Sequence, residues 1–157
     1  MERRPPVALS ARTEELLTDI YNAYDFTVAG REMREGRNTI RVDFKPRTNP
    51  KLKTTIAKVF LTKAQGTAWI DEEDHVLAKI DFDLVKDAKF GGGLLVTVND
   101  NSQTTREWRK VNNELWLPVR METRLKGRLF LTKGINLRSV DEFSDYKKFS
   151  VETKINP

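Results

Sequence analysis

The sequence predicts a mainly β (α+β) fold: a curved antiparallel sheet forming an unclosed half-barrel, with one or two helices against its concave side. Three observations carry that expectation. Residues 66–84, GTAWIDEEDHVLAKIDFDL, read as two antiparallel strands joined by an acidic turn. Val76, Ala78, Ile80, Phe82 and Leu84 point one way and Leu77, Lys79, Asp81, Asp83 and Val85 the other, a period of two with one apolar and one mainly charged face. Ile80 and Phe82 are then expected to be buried, and Lys79, Asp81 and Asp83 exposed. Second, further strand-length segments follow one another across short polar or glycine-bearing turns. Third, only two segments place apolar residues at helical spacing.

Residues 1–9, with Pro5-Pro6, read as a flexible arm ahead of a single domain over 10–157. A helix is expected from about Ala11 to Tyr24, with Glu14 and Glu15 in its first turn and Leu16, Leu17, Ile20, Tyr21 and Tyr24 on one stripe. Residues 25–46 form a hairpin around Glu35-Gly36-Arg37-Asn38, closed by Pro46 because proline cannot donate to a ladder. Residues 52–63 suit a short amphipathic helix ended by Gln65-Gly66. After the 66–84 hairpin, Gly91-Gly92-Gly93 supplies a bend before a strand at 94–98, and Asn99-Asp100-Asn101-Ser102 makes a polar turn. Strands at 104–111, 114–125 and 128–138 follow, with a turn at Asn112-Asn113, a kink or turn at Lys126-Gly127 and an edge or bulge at Pro118. A last short strand is expected at 150–154, for about eight strands and two helices in all.

Several chemistries are excluded by what the chain lacks. Its 28 basic and 23 acidic residues are mixed along the chain, without the basic stripe and aromatic platforms of a nucleic-acid binder. It has no cysteine, hence no disulfide framework or thiolate nucleophile. The one histidine, His75, follows the turn 71–74, and D-E-E-D-H lacks the spacing of a calcium loop, so a solvated turn is expected and neither a metal nor another cofactor. The glycine run fits no phosphate-loop motif, and no serine lies in a G-x-S-x-G setting. Asp81 and Asp83 lie two apart on a polar strand face, where charge is ordinary. No base, orienter and nucleophile come together, so the chain is not expected to be an enzyme. No run approaches the roughly 20 apolar residues of a transmembrane helix, and no secretory leader is visible in the opening MERRPPVALSARTEE.

What remains is an excess of apolar strand surface over available helix. Ile40, Val42, Phe44, Val76, Ile80, Phe82, Val119, Met121, Leu129 and Leu131 are expected on one face. Two short helices have to cover them all. An under-covered curved sheet leaves an apolar groove, where a ligand binds; an ordinary filled core is the alternative.

Three stretches, GTAWIDEEDHVLAKID at 66–81, KVNNELWLPVRMET at 110–123 and EFSDYKKF at 142–149, resemble bacterial outer-membrane lipoprotein-sorting proteins, related in fold to the periplasmic lipoprotein carriers LolA and LolB. The resemblance covers roughly residues 24–151, with Phe143 standing where the family has tyrosine. It implies an unclosed antiparallel barrel whose open side is plugged by helices and whose cavity takes lipoprotein acyl chains. It gives Trp69, Asp71, Asn112, Trp116, Pro118 and Tyr146 structural roles in turns, a bulge and strand ends. The carriers' elements expected before Ala11 are missing or shortened. The expectation is therefore a non-catalytic protein of the periplasm or cell envelope that binds a lipid or the acyl part of a lipoprotein. The alternative is a sensor or scaffold module of the same fold that binds an envelope protein partner without lipid.

Overall fold

The computed structural model of the protein describes residues 10–147. The arm at 1–9, the strand expected at 150–154 and Phe149 of the closing motif lie outside them. Within that span the chain runs α1 (Ala11–Ala23), β1 (Tyr24–Arg34), β2 (Arg37–Pro46), α2 (Thr55–Phe60), β3 (Ala64–Asp71), β4 (Leu77–Leu84), β5 (Ala88–Phe90), β6 (Val96–Val98), β7 (Gln103–Val111), β8 (Leu115–Leu129) and β9 (Lys133–Glu142). All pairings are antiparallel and the sheet does not close into a barrel. From one edge the order is β1-β2-β3-β4-β7-β8. β8 then shares one of its edges end to end between β7, along 115–124, and β6, along 127–129, while β9 covers its other edge.

Local chemistry accounts for these elements. Ser10 caps α1, its hydroxyl accepting from the Thr13 N–H, and Thr54 caps α2 in the same way through the Ala57 N–H. α1 passes into β1 with no loop, because Tyr24 is already extended at φ −122°. Glu35 and Gly36 both have positive φ, 51° and 78°, as a tight hairpin turn between the paired residues Arg34 and Arg37 requires. Asn112 and Asn113 play the same part between β7 and β8, at 50° and 58°.

Several expectations are corrected. Nine strands lie among the described residues, where about eight were expected in all. The strand expected from Leu94 begins at Val96. Lys126-Gly127 is no turn: β8 runs straight through it, and the chain reverses at 130–132. Gly127 is needed because β6 comes so close that a Cβ would lie 2.3 Å from the Thr97 carbonyl oxygen. Gln65-Gly66 likewise lies inside β3, and a Cβ on Gly66 would sit 2.0 Å from the Asp81 carbonyl oxygen and 2.9 Å from Cζ of Phe44. Lys79, Asp81 and Asp83 are half-buried, as are Ile80 and Phe82, because both faces of β4 carry neighbouring side chains. The α1 stripe is mostly uncovered: Leu16, Leu17 and Tyr21 are exposed, while Asp19 and Ala23 are buried.

The core is small. One cluster gathers Ala23, Tyr24 and Phe44, the other Ala64, Leu84, Ala88 and Val98, and Phe82 packs against both. The largest fully buried side chains are Thr39, Thr97, Asp19 and Asp71, all polar. The bulky apolar residues between the two clusters are only half covered.

Gly66→Ala and Gly127→Ala are each expected to lower stability by about 1–3 kcal/mol, since backbone must shift to admit the methyl. Gly134→Ala, with no atom in reach of its Cβ, should change it little. Urea unfolding of the three variants checks the contrast.

Candidate functional site

The half-covered residues surround an apolar pocket of about 290 Å³. Its walls are Tyr24 and Phe26 of β1, Phe44 of β2, Ala64 and Ala68 of β3, and Ile80 and Phe82 of β4, with Ile20 from α1 and Phe60 and Leu61 from the end of α2. Register explains the hollow. Phe26, Phe44, Gly66 and Phe82 lie opposite one another in one row across four strands, and Val28, Val42, Ala68 and Ile80 form the next. The small Gly66 and Ala68 sit between large neighbours, so each row dips at β3. Tyr24 meets Phe26 and Phe44 edge to face, with ring centroids 6.0 and 5.0 Å apart. Burial pushes the Tyr24 phenol up to about 12, so its hydroxyl keeps its proton.

Both rows turn polar beyond β4. Ile80 pairs with Arg106 and Arg106 with Met121; Phe82 pairs with Thr104 and Thr104 with Thr123. Of the residues expected to line a groove, Phe44, Ile80 and Phe82 line the pocket. Ile40 and Val42 are half-buried on the same face of β2, further along the strand, and are not among its walls. Val76 lies in the turn before β4, where its carbonyl accepts from the Asp71 N–H at 2.9 Å. Met121 is separated from the pocket by Arg106, Leu129 pairs with Val96 at the far end of β8, and Leu131 stands in the β8–β9 turn, 53% exposed. Val119 is the extra residue of a bulge, since Glu107 pairs with Arg120 but Trp108 with Pro118, and it lines a different, polar cleft. The bulge falls directly after Pro118, where an edge or bulge was expected; alternation could not reveal which way Val119 faces or the strand order. Ile20, Tyr24, Phe26, Phe60, Leu61, Ala64 and Ala68 were missed as lining residues; the small residues in β3 opposite Phe44 and Phe82 were the available signal.

The polar cleft, about 160 Å³, opens where the β4–β7 ladder stops at Lys79 and Glu107 although β7 runs on to Val111. Side chains bridge the gap. Arg37 grips Asp71 with two bonds of 2.7 Å and reaches Asp74 at 3.1 Å. Asp71 also accepts from the N–H groups of Glu73 and Asp74, which fixes the turn. Asp74 accepts from Lys110 Nζ and Trp116 Nε1, both at 2.8 Å, and Arg109 pairs with Glu35. Tyr146 donates to the Pro118 carbonyl. The turn 71–74 is therefore no freely solvated loop: Asp71 is buried within it. The Arg37 guanidinium holds the Asp71 carboxyl down at about 2, and the bond from Lys110, then that from Trp116, lowers Asp74. These shifts fix anions as ion-pair partners; proton transfer near neutrality needs a carboxyl displaced upward. His75 is exposed at φ 55°, and among the described residues no group of three or more acids or histidines could hold a metal ion. No helix among them is long and apolar enough to cross a membrane.

No family model, curated protein or solved structure matches the chain.

The folded value of Asp71 lies below its ordinary 3.8, so its contribution is complete above pH 3.8 and fades as pH falls toward 2. It amounts to about 2 kcal/mol. Asp71→Asn is expected to cost about that much at neutral pH and to flatten the stability curve across this window. Chemical denaturation at a series of pH values reads both effects.

Proposed function

We propose that this is a non-catalytic cell-envelope protein that holds a lipid, or the acyl part of a lipoprotein, in the pocket between α1, α2 and β1–β4. The observation that carries the proposal is the incompletely filled core: apart from Tyr24, whose hydroxyl is its one polar group, every wall is apolar, and although Tyr24 and Phe44 pack together, an apolar space of about 290 Å³ is left beside them. Its volume is near the low end of ligand sites, about 300–1,000 Å³, which suits one chain segment better than several. Each methylene that leaves water there contributes about 0.8 kcal/mol, so a few turn a weak contact into a stable one. Tyr24, protonated and set among the rings, can donate to a carbonyl or ester oxygen of the ligand. The three family-like stretches at 66–81, 110–123 and 142–149 support the envelope location and a sorting role, with the periplasm as the compartment.

Ala68→Phe fills the floor of the pocket and is expected to abolish saturable binding of a fluorescent fatty acid, while Glu122→Lys, on the opposite face of β8, leaves it unchanged. Circular dichroism checks that both variants fold. Native mass spectrometry of gently purified wild-type protein should show added lipid mass. A wild-type chain that purifies lipid-free and binds no probe overturns the proposal and leaves a module for a protein partner.

A further inference from the structure

At the end of β8 away from the polar cleft, two loops meet. Leu94 and Leu95 precede β6, and Phe130 and Leu131 make the β8–β9 turn. The Phe130 N–H donates to the Leu95 carbonyl at 3.0 Å, and Val96 pairs with Leu129, so the four apolar residues belong to one tip. They are 61%, 54%, 67% and 53% exposed. Along the strand this tip is about 40 Å from Trp116, at 3.3–3.4 Å per residue. Phe130 and Leu131 both hold positive φ, 47° and 66°. Asparagine and glycine fill such positions without strain, and bulky apolar residues do not. The turn thus accepts an unfavourable backbone while displaying two large apolar side chains to water.

The charge around the tip has one sign. No acidic residue occurs in 88–99 or in 123–140. Pairing aligns Lys89 with Thr97 and Thr97 with Arg128, and Lys133 faces Leu129 at the turn. Among the described residues, Lys89, Lys126, Arg128 and Lys133 form no ion pair. Asp87 is the acid that feels Lys89 and Arg128, and it is already bonded to the Asp100 N–H and the Asn99 amide. Exposed apolar groups on a cationic rim match a bilayer with anionic headgroups: the side chains enter the acyl boundary and the cations stay at the phosphates.

We propose that this tip docks the protein on an anionic membrane surface. The site is separate from the acyl pocket, and the proposal stands without it.

The test is co-sedimentation of the full chain with vesicles of phosphatidylcholine alone and of phosphatidylcholine mixed with phosphatidylglycerol. Wild-type protein is expected to bind the anionic vesicles, more weakly as salt is raised, and the neutral ones poorly. The double variants Phe130→Asn/Leu131→Asn and Leu94→Ser/Leu95→Ser should each weaken partitioning about tenfold. Asparagine suits the turn and all four positions are exposed, so thermal melting should match wild type. Lys89→Glu/Arg128→Glu should lose anionic vesicles selectively, and Ala68→Phe should bind them as wild type does. No wild-type binding, equal binding by the tip variants, or binding abolished by Ala68→Phe overturns the proposal. It is also overturned if the tip variants turn a dimer into a monomer while vesicle binding persists, since the patch is then an interface between copies of this chain.

Discussion

The pocket depends on one buried carboxylate. Asp19, with no exposed surface, accepts from the Lys53 N–H at 2.7 Å and from the Thr54 N–H and hydroxyl at 2.8 and 2.7 Å. Burial pushes its carboxyl up, but these bonds outweigh it and hold the group below its ordinary value. Asp19 thereby joins the third turn of α1 to the start of α2. A clamp of this kind fixes two helices relative to each other without pressing either onto the sheet. Leu16, Leu17 and Tyr21 can stay outside, and Ile20 is the α1 side chain that reaches into the pocket.

The sheet below is divided in kind. β1–β4 present aromatic and branched side chains toward the helices; the same rows continue into β7 and β8 as Arg106, Thr104 and Thr123. Beyond Lys79 and Glu107 the ladder between β4 and β7 stops, and there the structure relies on ion pairs. Arg37, Asp71, Asp74, Lys110 and Trp116 connect β2, the β3–β4 turn, β7 and β8. Such ion pairs gain little over a well-packed apolar replacement, because desolvation offsets attraction, but removing one partner is costly and they tolerate few alternative arrangements. This network therefore sets geometry: it holds the end of the β3–β4 hairpin, and with it the register that places Ala68 opposite Ile80.

Strand alternation made the curved sheet legible, helical spacing both helices, and turn residues most turns, because each of these is a local property. The pocket was legible only as an excess of apolar strand over helix. Its position was not, for three physical reasons. A bulge directly after Pro118 turned Val119 toward the polar cleft; the proline marked an edge or bulge there, but strand alternation alone does not say which way the extra residue faces. Arg106 lies between Ile80 and Met121 only because β4 pairs with β7, a fact of topology. Leu131 alternates with Leu129 as a strand residue would, yet the chain reverses there through two positive-φ residues of types that rarely adopt them. Asp71 shows the converse. Four carboxylates in a row read as a solvated turn, and only a partner 34 positions away, Arg37, makes the first of them a buried anchor.

The same sorting by topology governs the surface field. Along the chain the charges alternate and nearly balance, with a net of +5. Pairing of β6 with β8 and β8 with β9 brings two acid-free stretches together, while the four acids of 71–74 are drawn to the opposite end and paired with Arg31, Arg37 and Lys110. The molecule is therefore polarised along β8 to a degree its net charge does not express. That polarity runs past the pocket wall. Phe60, which lines the pocket, meets Phe90 with ring centroids 6.2 Å apart, and Phe90 is the last residue of β5 before the loop that carries Leu94 and Leu95. The apolar interior and the apolar, cationic tip are thus distinct sites whose elements meet at the Phe60–Phe90 ring contact.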